Sequence, residues 1–224
     1  MNIEFEITLR CNATCDSCSR HCHYGMYDEE SDVTMGQVSR FIEEVKGNPN
    51  IDMIHVMGGE PTLHPEFRQI VTLLRDELLV THKIKRLQVV SNGLIPIDGS
   101  LGVGVCLSPP EKSARHRCMF VAPCDTGQEL KECPVPVDCG VSFGAYGYWP
   151  CGAGGAICRL FGFTMYHRMT IPKDEKDFPY EMAMCAYCQA KAKMYLMCKD
   201  FGEIKSISFR KAFREFNAKK LRRY

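Results

Sequence analysis

Three cysteines near the N-terminus constrain this chain more than any other feature. The run CNATCDSC at residues 11–18 contains Cys11, Cys15 and Cys18, and it follows a segment in which apolar and polar residues alternate with the period of a β-strand. A loop after a strand lets three thiolates converge on one iron–sulfur cluster while one iron keeps no protein ligand. An open metal position is where a bound molecule can react. The run therefore predicts a reactive metal site.

Composition sets the class of protein and its compartment. A chain of 224 residues can bury a substantial core and has room for one domain with a small appended module. Lys and Arg number 28 against 27 Asp and Glu, so the chain lacks the strong field of a dedicated nucleic-acid binder, and a nucleic-acid partner is not expected. The 14 cysteines come without a secretory signal segment or an apolar run of about 20 residues. These features predict a cytoplasmic protein with no membrane partner, whose cysteines bind metal rather than form disulfides.

The N-terminal half alternates between predicted strands and helices. This order indicates an α/β fold with parallel strands and right-handed crossovers. Thr34 and Gln37 form a capping-box signature that begins the first helix. The predicted strands cover residues 3–9, 52–57, 87–91 and 101–107, the first helix ends at residues 47–49, and the second begins at Pro65.

A second motif, Gly58-Gly59-Glu60-Pro61, ends the second predicted strand. The two glycines permit a tight turn and a close approach of another backbone. Glu60 places a carboxylate at the carboxyl end of a parallel strand, where the ligands of open α/β sheets collect. The third strand ends in Ser91-Asn92-Gly93, which is equally compatible with a ligand contact and with an ordinary strand-ending turn.

Together, the cysteine run and the Gly-Gly-Glu turn resemble the radical S-adenosylmethionine (radical SAM) enzymes, whose Cys-x3-Cys-x2-Cys loop and Gly-Gly-Glu motif occupy these places. The resemblance implies an abbreviated partial (β/α) TIM-type barrel and a 4Fe–4S cluster that is reduced by a flavodoxin- or ferredoxin-type electron donor. It also implies that SAM binds the free iron through its methionine amino and carboxylate groups. The implied cluster ligands are Cys11, Cys15 and Cys18, and the implied SAM contacts are Gly58, Gly59 and Glu60 at the ammonium and Ser91 and Asn92 at the ribose.

A structural zinc site is the alternative for the first cysteine group. Zinc needs a fourth ligand, which Cys22, His21 or His23 would supply. The Gly-Gly-Glu turn favours the iron–sulfur interpretation, because zinc binding does not require it. Where the family usually has an aromatic residue before the third cysteine this chain has Ser17, so Tyr24 and Tyr27 are the candidates for the adenine contact.

The C-terminal half carries a second cysteine pattern. Pro and Cys interrupt the alternation near residue 108, which divides the chain into a radical SAM core (1–107), a linker or cover segment (108–138) and a cysteine-rich unit (139–224). Residues 141–150 suggest a hairpin and residues 178–199 a helix. This unit resembles the one-cluster (twitch) form of the SPASM auxiliary-cluster module. The implied ligands of a second 4Fe–4S cluster are Cys139, Cys151, Cys185 and Cys188, with Cys118, Cys124, Cys133 or Cys158 as replacements for Cys139, and a zinc site or scattered core thiols are the alternatives.

Other residues receive structural interpretations. His55 is expected to be a hydrogen-bonded core histidine, and His64 is expected to cap or precede a helix. The basic C-terminal tail is expected to pack onto the body of the protein through Phe209, Phe213 and Phe216.

Three functions are compatible with these observations. The resemblance implies an enzyme that cleaves SAM to a 5′-deoxyadenosyl radical, which removes a hydrogen atom from a small metabolite such as a sugar, cyclitol, nucleoside or amino-acid derivative. The chain begins almost directly with its cluster strand, which favours a small molecule over the alternative, a ribosomally made peptide whose recognition domain is a separate protein. A hypothesis of another class is a non-enzymatic zinc or iron–sulfur module that docks nucleic acid.

Overall fold

A computed structural model describes residues 1–15, 18–24, 29–82, 84–107, 133, 135–178, 183–188, 207–217 and 221–224. Its strands are β1 (Asn2–Thr8), β2 (Met53–Gly58), β3 (Arg86–Ser91), β4 (Gly104–Leu107), β5 (Val141–Gly144) and β6 (Gly147–Trp149). Its α-helices are α1 (Met35–Lys46), α2 (Phe67–Leu74), α3 (Val135–Asp138), α4 (Gly152–Phe161) and α5 (Ile207–Glu215), and a π-helical segment, Arg75–Thr81, continues α2. No helix in this part of the chain has the length and apolar character needed to span a membrane.

The strands form one sheet of six, in the order β4-β3-β2-β1-β5-β6. β1 to β5 pair in parallel and β6 pairs antiparallel with β5. This sheet confirms the predicted α/β class and is consistent with a partial barrel. The predicted hairpin at residues 141–150 also forms, and its first strand pairs with β1 on the side away from β2. The barrel strands and the hairpin therefore share one sheet.

The apolar face of β1 packs under α1. The capping box predicted at Thr34 and Gln37 is present in full, so α1 begins at the expected residue. Phe5 of β1 lies with its ring centroid 4.5 Å from that of Phe41 in α1, and Phe143 of β5 stacks on Phe41 at 4.6 Å. All three phenylalanines are fully buried. This contact fixes the strand that leads into the first cysteine loop.

The polar face of β1 is covered by α4, a helix that the sequence did not predict. Gly152, Gly154 and Gly155 lower its helix propensity, yet each permits a close contact. A methyl group on Gly155 would lie 3.0 Å from the ring of Trp149, and one on Gly154 would lie 2.5 Å from Met184. The glycines thus let α4 lie directly against its neighbours.

Several predicted bounds differ from the structure. β4 begins at Gly104 rather than residue 101, because a 3-10 turn ends at Leu101 and Gly102 takes a left-handed conformation. α2 begins at Phe67, after a turn that contains Pro65. Of the helix predicted at 178–199, the structure describes a 3-10 segment at Ala183–Tyr187, and most of the remainder lies outside the described residues. The linker predicted at 108–138 lies mostly outside them as well.

Candidate functional site

The loop after β1 brings Cys11, Cys15 and Cys18 to one end of the sheet, where all three are partly buried and free of disulfides. The backbone nitrogen of Ala13 donates to the Cys11 sulfur at 3.4 Å. Burial, together with the charges of Cys18 and Cys15, raises the pKa of Cys11 from its ordinary value of 9.0 to about 11. Crowded thiolates of this kind are stabilised by a bound cation.

The donor set of this loop fits an iron–sulfur cluster, because three thiolates are the ligands that such a cluster takes. Among the described residues, no three Cys, His, Asp or Glu side chains are already grouped as metal ligands. Cluster binding would release the protons of these thiols.

The structure describes the side chains of two of the three candidate fourth zinc ligands, Cys22 and His21. A hydrogen bond with the Cys18 side chain, together with burial, raises the pKa of Cys22 well above its ordinary value. The buried ring of His21 meets Phe209 and Phe213 edge-on at centroid distances of 5.6 and 5.4 Å. The side chain of His23 lies outside the described residues. Cys22 thus contacts Cys18, one of the three predicted cluster ligands.

Helix α5 packs beside Tyr24, one of the two candidates for the adenine contact. The ring centroid of Tyr24 lies 4.6 Å from that of Phe213 in α5, and Phe209 is fully buried. The phenylalanines of the tail therefore pack onto the body, as predicted. Tyr27, the other candidate, and Ser17 lie outside the described residues.

The two glycines of the second motif bring the end of β2 against the start of the cysteine loop. Gly59 donates to the carbonyl of Thr8 at 2.9 Å, and Glu60 donates to that of Arg10 at 2.8 Å. Gly58 has a φ of +150°, and a methyl group there would lie 1.9 Å from the Thr8 oxygen. At Gly59 a methyl group would lie 2.2 Å from the Arg10 oxygen. Side chains at either position would separate the two motifs.

The Glu60 carboxylate is fully buried and accepts four hydrogen bonds. Its Oε1 accepts from the backbone nitrogen and hydroxyl of Thr62 at 3.2 and 2.7 Å and from the Ser91 hydroxyl at 2.9 Å. Its Oε2 accepts from the backbone nitrogen of Asn92 at 2.8 Å. Within the described residues Oε1 thus has three donors and Oε2 has one. Glu60 therefore joins the second and third motifs.

Asn92 continues this connection to the cysteine loop. Its side-chain nitrogen donates to Oδ1 of Asn12 at 2.8 Å, and its own Oδ1 accepts from the backbone nitrogen of Leu94 at 3.0 Å. Asn12 lies directly after Cys11 in the chain. The structure thus brings all three predicted motifs to one edge of the sheet.

Several of the described C-terminal cysteines interact with one another. Cys151 caps the N-terminus of α4, where its sulfur accepts from the backbone nitrogen of Gly154 at 3.2 Å. Burial raises the pKa of Cys151, and Cys188 and Cys133 add to the shift by their charge. Burial likewise raises the pKa of Cys139, with Cys133 among the contributing charges.

Cys158 lies on α4, and its thiol contacts the Met184 sulfur at 3.2 Å. Burial raises the pKa of Cys158, and the charge of Cys185 raises it further. Of the predicted ligands, Cys151 interacts with Cys188, and Cys185 interacts with Cys158. The backbone nitrogen of Cys188 donates to the carbonyl of Cys185 at 3.1 Å. Cys118 and Cys124 lie outside the described residues.

The two histidines have the expected structural partners. His55, in β2, lies opposite Gln88 and hydrogen-bonds to it at 2.7 Å, and burial lowers its pKa. His64 hydrogen-bonds through Nε2 to the carbonyl of Val33 at 2.9 Å and accepts from the backbone nitrogen of Glu66 at 3.0 Å. His64 thus ends one 3-10 turn and supports the entry to α2.

The sequence did not predict a buried network of charged side chains that lies between the Cys11–Cys18 loop and the start of α4, where Cys151 lies. Its members are two glutamates of β1 and two arginines. The sequence signal was the alternation of Glu4 and Glu6 with apolar residues, which placed both glutamates on one strand face without indicating a partner. The four side chains are Glu4, Glu6, Arg20 and Arg159.

Comparisons with known proteins relate part of this chain to one superfamily. Residues 5–99 match the family model of the radical SAM superfamily. The chain is 32% identical over 120 residues to an S-adenosylmethionine-dependent nucleotide dehydratase of Selenomonas ruminantium, covering 54% of this chain and 38% of the relative. It is 34% identical over 91 residues to a tungsten-containing aldehyde ferredoxin oxidoreductase cofactor-modifying protein of Pyrococcus furiosus, covering 33% of this chain and 25% of that relative. The chain thus spans well under half the length of these two relatives.

A solved structure, that of BtrN in an open conformation, superposes with a TM-score of 0.44 at 17% sequence identity. The superposition covers 67% of this chain and 69% of BtrN.

Proposed function

Residues 5–99 make this chain a member of the radical SAM superfamily, and we propose that it reductively cleaves SAM and abstracts a hydrogen atom from a small metabolite. One observation carries the proposal. The cysteine loop, the Gly-Gly-Glu turn and the Ser-Asn-Gly turn are joined by hydrogen bonds at the carboxyl edge of a parallel sheet, where open α/β folds bind ligands.

When bound, a 4Fe–4S cluster supplies one electron to SAM, whose C5′–S bond breaks to give methionine and a 5′-deoxyadenosyl radical. The chain would hold that cluster through Cys11, Cys15 and Cys18. Its other residues would bind and orient SAM and the substrate and would exclude water from the site. The cofactor would supply the chemistry that breaks the bond.

Glu60 has two roles in this proposal. Its buried carboxylate orders the second and third motifs, and Oε2, which has one donor among the described residues, would receive the methionine ammonium. Within the described residues no basic side chain pairs with Glu60, so a bound cation would offset the cost of burying its charge. Ser91 and Asn92 would lie beside the cofactor, and Gly58 and Gly59 would let its methionine end approach the backbone.

The substrate we favour is a nucleoside or nucleotide derivative. The support is the relative from Selenomonas ruminantium, whose name describes a nucleotide dehydratase and whose match covers 54% of this chain. A flavodoxin- or ferredoxin-type protein would deliver the electron. A substrate screen should also include the other candidate classes, which are sugars, cyclitols, amino-acid derivatives and peptides.

A second 4Fe–4S cluster in the C-terminal half also belongs to this proposal. Its ligands would be Cys139, Cys151, Cys185 and Cys188, with Cys133 the replacement for Cys139 that the electrostatic interactions support. Burial raises the pKa of Cys151, and the backbone nitrogen of Gly154 at the N-terminus of α4 offsets part of this shift by donating to the sulfur.

The test is anaerobic reconstitution of the full chain with iron and sulfide, followed by reduction in the presence of SAM. The proposal expects a brown protein that contains iron and sulfide and forms 5′-deoxyadenosine. A screen of nucleosides and nucleotides should then show consumption of one of them, and deuterium transfer from the substrate into 5′-deoxyadenosine would confirm hydrogen abstraction. A colourless protein with stoichiometric zinc and no 5′-deoxyadenosine would support the metal-binding module instead.

A further inference from the structure

The polar face of β1 holds two carboxylates and two guanidinium groups in contact with one another. Glu4, Glu6 and Arg159 are 8%, 2% and 3% exposed, and the side chain of Arg20 is 12% exposed. Charges at this depth are stable only when they are paired and hydrogen-bonded, because removal from water is costly. The network is therefore a specific arrangement rather than a set of surface ion pairs.

Arg20 joins the first cysteine loop to β1. It lies two positions after Cys18, and its side chain forks between the two glutamates. One terminal nitrogen donates to Oε2 of Glu4 at 2.7 Å, and Nε donates to Oε1 of Glu6 at 3.2 Å. A planar guanidinium can bridge two carboxylates in this way, whereas a lysine ammonium lacks the rigid fork.

The same two glutamates hold α4. Oε2 of Glu4 also accepts from the backbone nitrogen of Gly152 at 3.1 Å, directly after Cys151. Oε2 of Glu6 accepts from Arg159, in the middle of α4, at 3.2 Å. Each carboxylate therefore contacts the first cysteine loop on one side and α4 on the other.

Gly152 makes the contact unusually close. A methyl group at this position would lie 2.1 Å from a terminal nitrogen of Arg20 and 2.4 Å from Oε2 of Glu4. Any displacement of α4 toward β1 must therefore move Arg20, and movement of Arg20 must disturb the residue that follows Cys151.

We propose that Glu4, Glu6, Arg20 and Arg159 form a mechanical link by which the position of the Cys11–Cys18 loop and that of Cys151 at the start of α4 depend on each other. Arg20 is the central positioning residue of this link. The proposed function has the Cys11–Cys18 loop and the C-terminal cysteines each bind a cluster. On that basis, ligand or metal binding at one of the two sites changes the environment of the other. The dependence itself belongs to the chain and needs no metal.

The first test measures cysteine accessibility in the full, metal-free chain. Iodoacetamide alkylation is followed for individual cysteines by mass spectrometry in Arg20→Met and Gly152→Ala. Arg20→Met should accelerate alkylation of Cys151, and Gly152→Ala should accelerate that of Cys18. We expect changes of about tenfold or more, because a tenfold change needs only about 1.4 kcal/mol of local opening free energy.

Matched controls separate this link from general loosening of the fold. Arg68→Met removes an exposed ion pair with Asp98, and Gly99→Ala adds a methyl group where nothing lies within 4 Å. Neither control should alter the two alkylation rates. Hydrogen exchange in α1, on the other face of the sheet, reports whether each variant remains folded. Should Arg20→Met unfold, Arg20→Lys replaces it and is expected to give a smaller acceleration at Cys151, since it keeps the charge.

The second test uses the reconstituted protein. Gly152→Ala replaces no cysteine and no residue of β1, yet it should shift the electron paramagnetic resonance spectrum and the midpoint potential of the cluster bound by Cys11, Cys15 and Cys18. Gly99→Ala should shift neither. Unchanged Cys151 alkylation in folded Arg20→Met, together with unchanged Cys18 alkylation in folded Gly152→Ala, would overturn the link. A wild-type chain that binds no iron would refute the proposed function, whereas the alkylation rates would still decide the link.

Discussion

The Glu60 carboxylate accepts a hydrogen bond from the backbone nitrogen of Asn92 at 2.8 Å, across 32 positions of sequence. This contact fixes the turn after β2 against the turn after β3. Asn92 in turn donates to Asn12 at 2.8 Å, beside Cys11. The three motifs therefore form one connected structure, so a change in any of them should affect cofactor binding at the others.

Cys15→Ala should abolish SAM cleavage, because two remaining thiolates cannot stably hold a cluster with one differentiated iron. The measurement is the yield of 5′-deoxyadenosine after anaerobic reconstitution and reduction with dithionite. The matched control is Cys106→Ala, which removes an exposed cysteine on β4 and should leave the yield unchanged. Wild-type yield from Cys15→Ala would refute the assignment of the cluster ligands.

Glu60→Ala should keep the cluster but weaken SAM binding, since it removes the proposed ammonium acceptor and the contact that orders Asn92. In a closed site the loss should be about 1.5 to 3 kcal/mol, or roughly 10- to 150-fold in affinity. Titration of SAM into the reconstituted protein gives this value. Ser91→Ala, which removes one donor to Glu60 and leaves the carboxylate, should have a smaller effect. Equal SAM affinity in wild type and Glu60→Ala would place Glu60 outside the cofactor site.

Gly59→Ala should destabilise the fold and prevent cluster assembly, because the added methyl group would lie 2.2 Å from the carbonyl oxygen of Arg10. The control is Gly36→Ala in α1, where the nearest atom would be 3.8 Å away. That substitution should raise the free energy of unfolding by up to about 1 kcal/mol, because alanine is the better helix former. Thermal unfolding and iron content measure both effects, and a Gly59→Ala protein with wild-type values would show that the close approach is dispensable.

Cys185→Ser/Cys188→Ser should lower the iron content of the reconstituted chain from about eight to about four per molecule, since one of two 4Fe–4S clusters loses its ligands. Formation of 5′-deoxyadenosine should largely survive, whereas conversion of substrate to product should not. A folded double variant that retains SAM cleavage would favour electron transfer as the role of the second cluster, and loss of folding would favour a structural role. About four irons with stoichiometric zinc in the wild type would exclude a second cluster.

The metal-free chain should lose stability as the pH rises from about 9 toward about 11. The pKa of Cys11 is about 11 in the folded chain against an ordinary value of 9.0, so the unfolded thiol ionises first. The stabilisation that the protonated Cys11 thiol contributes to the folded chain is therefore fully present below pH 9 and is lost as the pH rises through the folded pKa. Urea unfolding at a series of pH values measures the slope, which Cys11→Ala should reduce and Cys106→Ala should not. An unchanged slope in Cys11→Ala would contradict the raised pKa.

Local sequence patterns predicted the elements that position the site. The alternation in β1, the capping box of α1 and the turn residues after β2 and β3 each act over a few neighbouring positions, and the structure contains all of them. The same rules did not predict α4. Its glycines oppose helix formation locally, and the packing against Arg20, Met184 and Trp149 that favours them comes from distant parts of the chain.

The sequence by itself determined which residues we propose to carry the chemistry, namely the cysteines at residues 11–18 and the glycines and carboxylate at 58–60. It also indicated the parallel strands that bring them to one edge. Only the tertiary structure decided that β5 pairs with β1, that Glu60 links two turns, and that Glu4 contacts Gly152 across 148 positions. The physical reason is the sequence separation between the residues that interact. Periodicity and capping depend on residues a few positions apart, whereas buried charges and close backbone contacts acquire their partners only when distant segments fold against each other.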